Sequence, residues 1–432
     1  MIVSRNYSVN EDGHLMIEAC DAVRLAKTYS TPLYVMSENE LLDNIKAFKD
    51  CVDKAFGGNA SVAYASKALA CKEVYRIIKR EGLRLDVASA GELSTALAVG
   101  FPTERIYFHG NNKTLTELEL AVEHNVGRIV VDNLYELSLL NDIAAGKGRV
   151  QKVLLRVKPG VDAHTHDYVK TGGHDSKFGL ALDSNEVYKA VEQIKTCAGV
   201  ELVGLHSHIG SQILDTEPFS DAASIMIVLL KEITDKYGAK LAELNLGGGF
   251  GIPYSADDKV PHISEYIARI ADTIKKSSAA NKTPIPHVTF EPGRFIVGTA
   301  GVTLYTVGSI KHVEGVKTYL AVDGGMADNP RYALYQSSYM ALIANRARDA
   351  REFCVTIAGK CCESGDILQE NIAIQQAAEG DILAVMPTGA YNYSMASNYN
   401  KIPRPAMVMV NGSEARVIVN RESVEDLMRN EI

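Results

Sequence analysis

The feature that most constrains the fold is a regular alternation, from about residue 60 to about residue 290, of short apolar runs with longer amphipathic stretches. The runs, rich in β-branched residues, read SVAYAS, LRLDVAS, RIYFHG, RIVVDN, KVLLRV, ELVGLHSH, AELNLGGG and HVTFEPG. The stretches between them, such as CKEVYRIIKREG, repeat apolar residues three and four positions apart and end in glycine, which is typical of helices. This alternation predicts parallel strands joined by crossover helices.

Eight strand–helix units are the number that closes a (β/α)8 TIM barrel. An open doubly wound sheet would alternate in the same way. However, the sequence has no early G-x-G-x-x-G, the motif with which such a sheet binds a dinucleotide. We therefore predict an α/β protein in which residues 37–293 form a TIM barrel.

The pattern changes after about residue 294. The segments VTLYTVGSIKHV, KTYLAVDGG, EFCVTIAGK, GDILAVMPTG and PAMVMVNGSEARVIVN alternate with turn signals, and few long helical periods separate them. They predict a second, mostly antiparallel β domain, a sandwich or small barrel. We assign residues 1–36 and 294–432 to it, although the sequence leaves open whether the first 36 residues add strands.

Charge and cysteine content exclude several classes of protein. The net charge of −8 disfavours a general nucleic-acid binder, which needs a basic face. No apolar run approaches the roughly 18 residues of a membrane span, so no membrane partner is expected. The seven cysteines are odd in number and form no C-x-x-C. The first residues, MIVSRNYSVNEDGH, contain no apolar signal region. These observations predict a reducing cytoplasmic location.

Polar residues are concentrated where the predicted strands end, which is where TIM-barrel enzymes place their active sites. Each residue alone is weak evidence, but their common position predicts one functional rim. They are Ser66, Lys67, Asp86, Ser89, His109, Gly110, Asn111, Asp132, Asn133, Arg156, His206, His208, Gly247, Gly248, Gly249 and Glu291.

Lys67, in YASKALA, follows the first strand. The ordinary interpretation is a surface lysine. Its neighbours are small and mostly apolar, however, and a lysine in such surroundings can lose its charge and act as a nucleophilic amine.

LGGGFG, at 246–251, is either a flexible turn or an anion-binding loop. After a strand, such a loop directs backbone N–H groups at a phosphate. No Gly-Lys-Ser/Thr follows, which favours a cofactor phosphate over nucleotide hydrolysis. Glu291, in FEPGR, is either a structural carboxylate paired with Arg294 or the carboxylate beside a protonated pyridine nitrogen.

The HSH at 206–208 raises the question of zinc, because alternate residues of a strand share a face. Further ligands are not evident, and the HTH at 164–166 is expected in a loop, so we predict no metal. A histidine at this position could instead cover the face of a flat cofactor ring.

Motifs along nearly the whole chain resemble the alanine racemase-like, fold type III pyridoxal phosphate enzymes, and within them the diaminopimelate decarboxylase family. They are YASKA, DVASAGEL, FHGNNKT, DSKFGL, HSHIGSQI, LNLGGGFGIPY, EPGRFIVG, CESGD and GAYNYSMASNYN. The resemblance implies pyridoxal-phosphate-dependent decarboxylation of meso-2,6-diaminopimelate to L-lysine and CO2, the last step of lysine biosynthesis.

The resemblance also implies roles for individual residues. Cys362 would reprotonate the product, and because the family shares each site between two chains, a homodimer is expected in which Cys362 and Glu363 come from the partner. The cofactor would be bound by Lys67, His208, Ser211, Gly247, Gly248, Gly249, Glu291, Gly293, Arg294 and Tyr391. The substrate would be bound by Arg294, Arg331, Tyr335, Glu363 and Tyr391.

Other activities on this fold remain alternatives. Ornithine and arginine decarboxylases act on substrates with a cationic end, whereas Arg294 and Arg331 favour a distal carboxylate. Racemases of this fold place an arginine where Glu291 stands. A catalytically silent relative and a metal-dependent hydrolase are less favoured.

Two departures from the family pattern concern KAL at 67–69, where many relatives have KAN, and Cys361, which has no family role. In KCCESGD the two cysteines should face opposite sides of an extended segment. We expect Cys361 to be a small buried residue and Cys362 to be the functional one.

Overall fold

The computed structural model describes residues 4–161, 176–255 and 257–432. The chain forms two compact units. The β unit comprises Met1–Asn44, Ile252–Lys259 and Arg294–Ile432, and the barrel unit comprises Ile45–Gly251 and Val260–Gly293. The sequence-based division has 252–259 within the barrel, but Ile252 and Tyr254 pack into an apolar cluster of the β unit.

The first elements of the chain belong to the β unit. Asp21 caps the first helix, since its side chain accepts hydrogen bonds from the backbone N–H groups of Val23 and Arg24. The elements are β1 (Tyr7–Val9), β2 (Leu15–Ile17), β3 (Cys20–Asp21), α1 (Ala22–Tyr29) and β4 (Leu33–Ser37), followed by α2 (Glu38–Phe56), which crosses the boundary in sequence.

The barrel unit alternates strands and helices as predicted. Its strands are β5 (Ala60–Ala65), β6 (Arg84–Val87), β7 (Ile106–Phe108), β8 (Arg128–Val131), β9 (Gln151–Lys158), β10 (Leu180–Ala181), β11 (Val200–Ser207), β12 (Glu243–Asn245) and β13 (His287–Phe290). Its helices are α3 (Lys72–Arg80), α4 (Ala90–Ala98), α5 (Leu115–Glu123), α6 (Leu134–Gly146), α7 (Glu186–Ile194), α8 (Glu217–Tyr237) and α9 (Ile263–Ala280).

Eight of these strands close into a parallel barrel in the order β5-β6-β7-β8-β9-β11-β12-β13, and β13 pairs with β5. The predicted TIM barrel is therefore confirmed. The short β10 is an additional strand that pairs with β9. Because all eight strands run in the same direction, their carboxyl ends meet at one rim.

The remaining elements complete the β unit. They are α10 (Arg294–Val297), β14 (Gly301–Val313), β15 (Lys317–Val322), α11 (Arg331–Tyr335), β16 (Met340–Ile343), β17 (Phe353–Ala358), β18 (Ile367–Ile374), β19 (Ile382–Met386), β20 (Ala406–Asn411) and β21 (Glu414–Val419).

The β unit is built on a mixed sheet in the order β18-β17-β15-β14-β4-β20-β21, to which β19 and β16 attach through β14. Most of its pairs are antiparallel, as predicted, but β4–β20 and β15–β17 are parallel. Residues 33–37 supply the strand between β14 and β20, which answers the question that the sequence left open. Alternate residues of β14 and β19 enter two different apolar clusters, so both faces of the sheet are buried.

Among the described residues, no helix combines the length and the apolar character needed to cross a membrane.

Candidate active site

Glu291, directly after β13, is the centre of a buried hydrogen-bond network at the barrel rim. Nε2 of His109 lies 2.9 Å from its Oε1, and Nδ2 of Asn245 donates to the same oxygen at 2.6 Å. Nε2 of His206 lies 3.2 Å from Oε2. All four residues are buried. Three donors, one directly after β7 and the others in β11 and β12, thus converge on one carboxylate.

The network favours the ionised form of Glu291. Burial has the largest effect on its pKa and raises it, but the interactions with His109 and His206, including their hydrogen bonds, outweigh burial, so the pKa lies well below its ordinary value. Burial lowers the pKa of His206 to about 3, so this imidazole donates in its neutral form. At neutral pH the site therefore contains a fixed negative charge.

Two further rim residues have perturbed ionisation. Asp86, at the end of β6, lies 3.7 Å from Nε2 of His109, and burial raises its pKa to about 7 despite the opposing effect of the histidine. Arg156, near the end of β9, lies 3.9 Å from Asp132, and burial lowers its pKa. Its guanidinium lies 4.3 Å from the ring centre of Phe178.

Lys67 lies in a single helical turn, Ser66–Ala68, directly after β5. Its neighbours Ser66 and Ala68 are buried, whereas Lys67 is exposed. Ser66 donates from Oγ to Glu92 at 2.7 Å, which fixes the turn. The small neighbours therefore pack into the fold and do not surround the amine, which differs from the sequence-based expectation.

The conformation of the glycine loop after β12 is possible only because its glycines have no side chains. Gly247 and Gly249 have φ values of +67° and +111°, where side chains are strained. A Cβ at Gly248 would lie 2.0 Å from the carbonyl oxygen of Glu291, and one at Gly293 would lie 3.0 Å from Ala65. The backbone segments here thus lie too close together for side chains, which is typical of a loop that binds phosphate through its N–H groups.

His208 and Ser211 follow β11 and are half-buried. Burial, with the charges of Lys67 and Arg156, lowers the pKa of His208 well below its ordinary value. His208 therefore offers an uncharged ring at the rim.

Two buried arginines of the β unit surround Tyr391. The guanidinium of Arg294 lies 4.8 Å from the centre of the Tyr391 ring, and that of Arg331 lies 5.4 Å from it. Arg294 also donates to the hydroxyl of Tyr254, and Arg331 lies 5.1 Å from the ring of Tyr335. Tyr391 has a φ of +63°, an unusual value for a non-glycine residue. We call these five residues the arginine–tyrosine cluster.

Within that cluster Arg331 is 6% exposed, and its Nε has no hydrogen-bond partner among the described residues. Its Nη2 makes one long bond, 3.4 Å, to Oγ of Ser337. A buried guanidinium with a free donor is suited to accept an anion.

The two adjacent cysteines differ as expected, although for a different reason. Cys361 is 8% exposed and Cys362 is exposed, and neither forms a disulfide. The segment is a series of bends and turns and not an extended strand, so turn geometry separates the two side chains. Glu363 beside them is also exposed.

Comparison with known proteins identifies the family. A family model described as the pyridoxal-binding domain of pyridoxal-dependent decarboxylases matches residues 41–298. The diaminopimelate decarboxylase of Bacillus subtilis (strain 168) is 51% identical over 420 residues, which are 97% of this chain and 95% of that protein. The chain belongs to the diaminopimelate decarboxylase family.

Further relatives of this family agree. The diaminopimelate decarboxylase of Bacillus methanolicus is 48% identical over 96% of both chains. A crystal structure of the M. jannaschii diaminopimelate decarboxylase in complex with L-lysine matches with a TM-score of 0.93 and 34% identity, covering 100% of this chain and 99% of that one.

For a member of this family, the cluster of His109, His206 and Glu291 needs an interpretation, because its ligand atoms lie within 4.8 Å of one another and have the types that metals use. Both imidazole Nε2 atoms are within hydrogen-bond distance of carboxylate oxygens, which explains the cluster without an ion. Of the histidines considered above as zinc ligands, His206 belongs to this cluster and His208 does not, and His164 and His166 lie outside the described residues.

Some rim residues have structural roles. Ser89 and Asn133 cap α4 and α6, accepting from the backbone N–H groups of Glu92 and Glu136. These caps could have been recognised from the glutamate three residues later.

Sequence reasoning missed Asn245 and Lys113. Asn245 is the last residue of β12, two residues before Gly247, and was interpreted only as part of an apolar run. Lys113 lies in FHGNNKT, where a polar stretch gives no sign of burial, yet its side chain is 1% exposed.

Proposed function

We propose that this protein removes CO2 from meso-2,6-diaminopimelate to give L-lysine, with pyridoxal 5'-phosphate as cofactor. The observation that carries the chemistry is Glu291, a buried carboxylate held in its ionised form by His109, His206 and Asn245. The choice of substrate is supported by the extended identity to diaminopimelate decarboxylases.

The rim residues fit the cofactor. The glycine cradle Gly247–Gly249 would take its phosphate, with Ser211 and the backbone at Gly293 and Arg294. His208, uncharged, would lie against the ring, and Tyr391 would complete the contacts. Lys67, exposed at the end of β5, would hold the cofactor covalently through its amine.

When bound, the cofactor supplies an electron sink for the electron pair left by the departing carboxylate. Glu291 would maintain this sink, because an ionised carboxylate keeps a nearby pyridine nitrogen protonated. The amine of Lys67 would hold the cofactor between turnovers and would yield that place to the substrate amine. Cys362 would deliver a proton to the α-carbon that has lost its carboxylate.

The distal end of the substrate distinguishes this activity from its alternatives. Arg331 and Arg294, with Tyr335 and Tyr391, would bind a carboxylate, and Glu363 would bind the neighbouring ammonium. Buried arginines would repel the cationic ends of ornithine and arginine, so decarboxylation of those amino acids is the less favoured function.

We further propose a homodimer in which Cys362 and Glu363 are contributed by the partner copy, in a cytoplasmic enzyme. Exposure of both side chains supports the first part, and seven free cysteines support the second. An interface variant that yields monomers should lose activity while the barrel still binds cofactor. A fully active monomer would contradict the shared site.

The test of function is CO2 release from meso-diaminopimelate, L-ornithine and L-arginine, each with and without added pyridoxal phosphate. We expect release from diaminopimelate alone, dependent on the cofactor. Preference for either other amino acid would overturn the substrate. Lys67→Ala should lose both activity and the visible absorbance of bound cofactor, and retention of that absorbance would overturn the assignment of Lys67.

A further inference from the structure

The turn that carries Cys362 and Glu363 is fixed from inside the β unit by one carboxylate. Asp366 is 3% exposed, and its Oδ1 accepts the backbone N–H of Met326 at 2.6 Å. Its Oδ2 accepts the backbone N–H of Cys361, also at 2.6 Å. The backbone N–H of Asp366 donates to the carbonyl of Glu363 at 3.1 Å. The Asp366 side chain, at the end of the turn, thus binds the backbone at its beginning, Cys361, and joins the turn to the segment around Met326.

Two glycines make room for this carboxylate. A Cβ at Gly359 would lie 2.2 and 2.3 Å from the two oxygens of Asp366, and a Cβ at Gly325 would lie 2.5 Å from both. Side chains at either position would therefore displace it. Burial, followed by the charge of Asp366, raises the pKa of the Cys361 thiol to about 11, so this cysteine stays protonated beside the carboxylate.

The hydrogen bonds that hold the Asp366 turn extend to the central strands of the sheet. Gly325 donates its backbone N–H to Asp328 at 2.8 Å, and Tyr305, in β14, donates its hydroxyl to the same carboxylate. Tyr34, in β4, donates to the backbone carbonyl of Asp328 at 2.6 Å. The segment to which Asp366 ties the turn is therefore itself held by buried side chains of two strands.

We infer that Asp366 is a positioning residue that sets the directions of the Cys362 thiol and the Glu363 carboxylate. The inference rests on the proposed role of those two side chains. Cys362 is exposed, and its backbone N–H donates to Oδ1 of Asn400 at 2.6 Å, so its side chain follows the backbone of the turn. A displacement of about 1 Å in a reacting group can cost roughly 100-fold in rate.

Two variants test this by different means. Asp366→Asn places an amide N–H against backbone N–H donors, and Gly359→Ala displaces the carboxylate without removing it. Asp381→Asn is the matched control, because Asp381 is also buried and accepts a backbone N–H, from Ala378 at 2.7 Å, in another loop.

The measurements are kcat, KM, the elution volume of the native enzyme and the rate at which a maleimide labels Cys362. Peptide mass spectrometry gives that rate relative to Cys354, the other exposed cysteine, which serves as an internal reference. We expect both test variants to lower kcat by about tenfold or more and to change the labelling ratio several-fold at unchanged elution volume. The control should match wild type in kcat and in the ratio.

A folded Asp366→Asn or Gly359→Ala variant with wild-type kcat and labelling ratio would overturn the inference. If one variant does not fold, the other decides. Failure of the proposed function gives a different result: Cys362→Ala would keep full activity, while the labelling ratio would still respond to Asp366→Asn.

Discussion

Two buried charged side chains, Glu291 in the barrel unit and Arg331 in the β unit, differ in how far the protein itself neutralises their charge. In the barrel unit, Glu291 receives donors from His109, His206 and Asn245, so its charge is matched by its own surroundings. In the β unit, Arg331 faces the rings of Tyr335 and Tyr391 and the hydroxyl of Ser337. The first arrangement is complete before any ligand binds, and the second leaves positive charge for an incoming anion.

The difference separates two tasks. A carboxylate whose hydrogen-bond donors all come from the protein keeps one protonation state and one orientation. That suits a group proposed to act on a cofactor in every turnover. A guanidinium on aromatic rings retains donors for a substrate that arrives and leaves. Removing charge should therefore have different consequences in the two units.

The largest effect is expected at Lys113, another buried charge of the barrel unit that is matched by its own surroundings. Its Nζ donates to Glu136 at 2.8 Å and to the carbonyls of Gly110 and Val130. Lys113→Met leaves Glu136 buried without its cation, so the free energy of unfolding should fall by about 3–5 kcal/mol in urea titrations. Adding Glu136→Leu should recover part of this loss. No recovery would show that packing and not charge is responsible.

Glu291→Gln should act on rate and less on stability. The glutamine keeps the shape but not the charge, so we expect kcat to fall by roughly 10²–10³-fold with a small change in KM. Glu243→Gln is the control, because Glu243 begins β12, at the end of the strand away from the rim, and pairs with Arg128. That control should lose stability at unchanged kcat. Similar kcat values for the two variants would contradict the role of Glu291.

Arg331→Met should act on binding. Loss of one buried guanidinium is expected to raise KM for diaminopimelate by roughly 30–100-fold, equivalent to about 2–3 kcal/mol. The free energy of unfolding should change by less than about 1 kcal/mol, because within the described part of the chain Arg331 contacts rings and a hydroxyl and not a carboxylate. Arg128→Met should show the reverse, with lower stability and wild-type KM. An unchanged KM for Arg331→Met would remove it from the substrate site.

The smallest effect is a pH slope due to His206. Its pKa is about 3 in the folded protein and ordinarily about 6.5, so between these values the unfolded chain binds the extra proton. The stability that neutral His206 contributes is complete above about pH 6.5 and lost as the pH falls toward 3. The unfolding free-energy difference between wild type and His206→Asn should therefore shrink by about 2 kcal/mol from pH 7 to pH 5.

Asp86, whose raised pKa gives the opposite slope, is present in both proteins and cancels to first order. A difference that stays constant with pH would mean that His206 does not titrate as its burial implies.

Much of the barrel could be predicted because it follows from local periodicity. Each of the eight apolar runs became a strand of the closed barrel, since burial on both faces requires continuous apolar residues. The rim followed as well, because parallel strands end together. Lys67, His208 and Glu291 could therefore be placed at one rim without coordinates.

The same reasoning could not separate functional rim residues from helix caps such as Ser89 and Asn133, because both are polar residues after strands. It also missed Asn245, whose amide matters only because β12 lies beside β13 and delivers it to Oε1 of Glu291. Partners of this kind are far apart in sequence, and only strand order brings them together.

The sequence by itself determined that this chain has a barrel, a β unit and a pyridoxal-type set of residues, because strand period, strand number and motif chemistry are local properties. Tertiary structure alone decided which protonation states these residues take and where Cys362 points. Ionisation depends on burial and on neighbours from other strands, and Cys362 depends on Asp366 being held at Met326, 40 residues away along the chain. In the adjacent pair Cys361 and Cys362, identical side chains differ only in what the fold places around them.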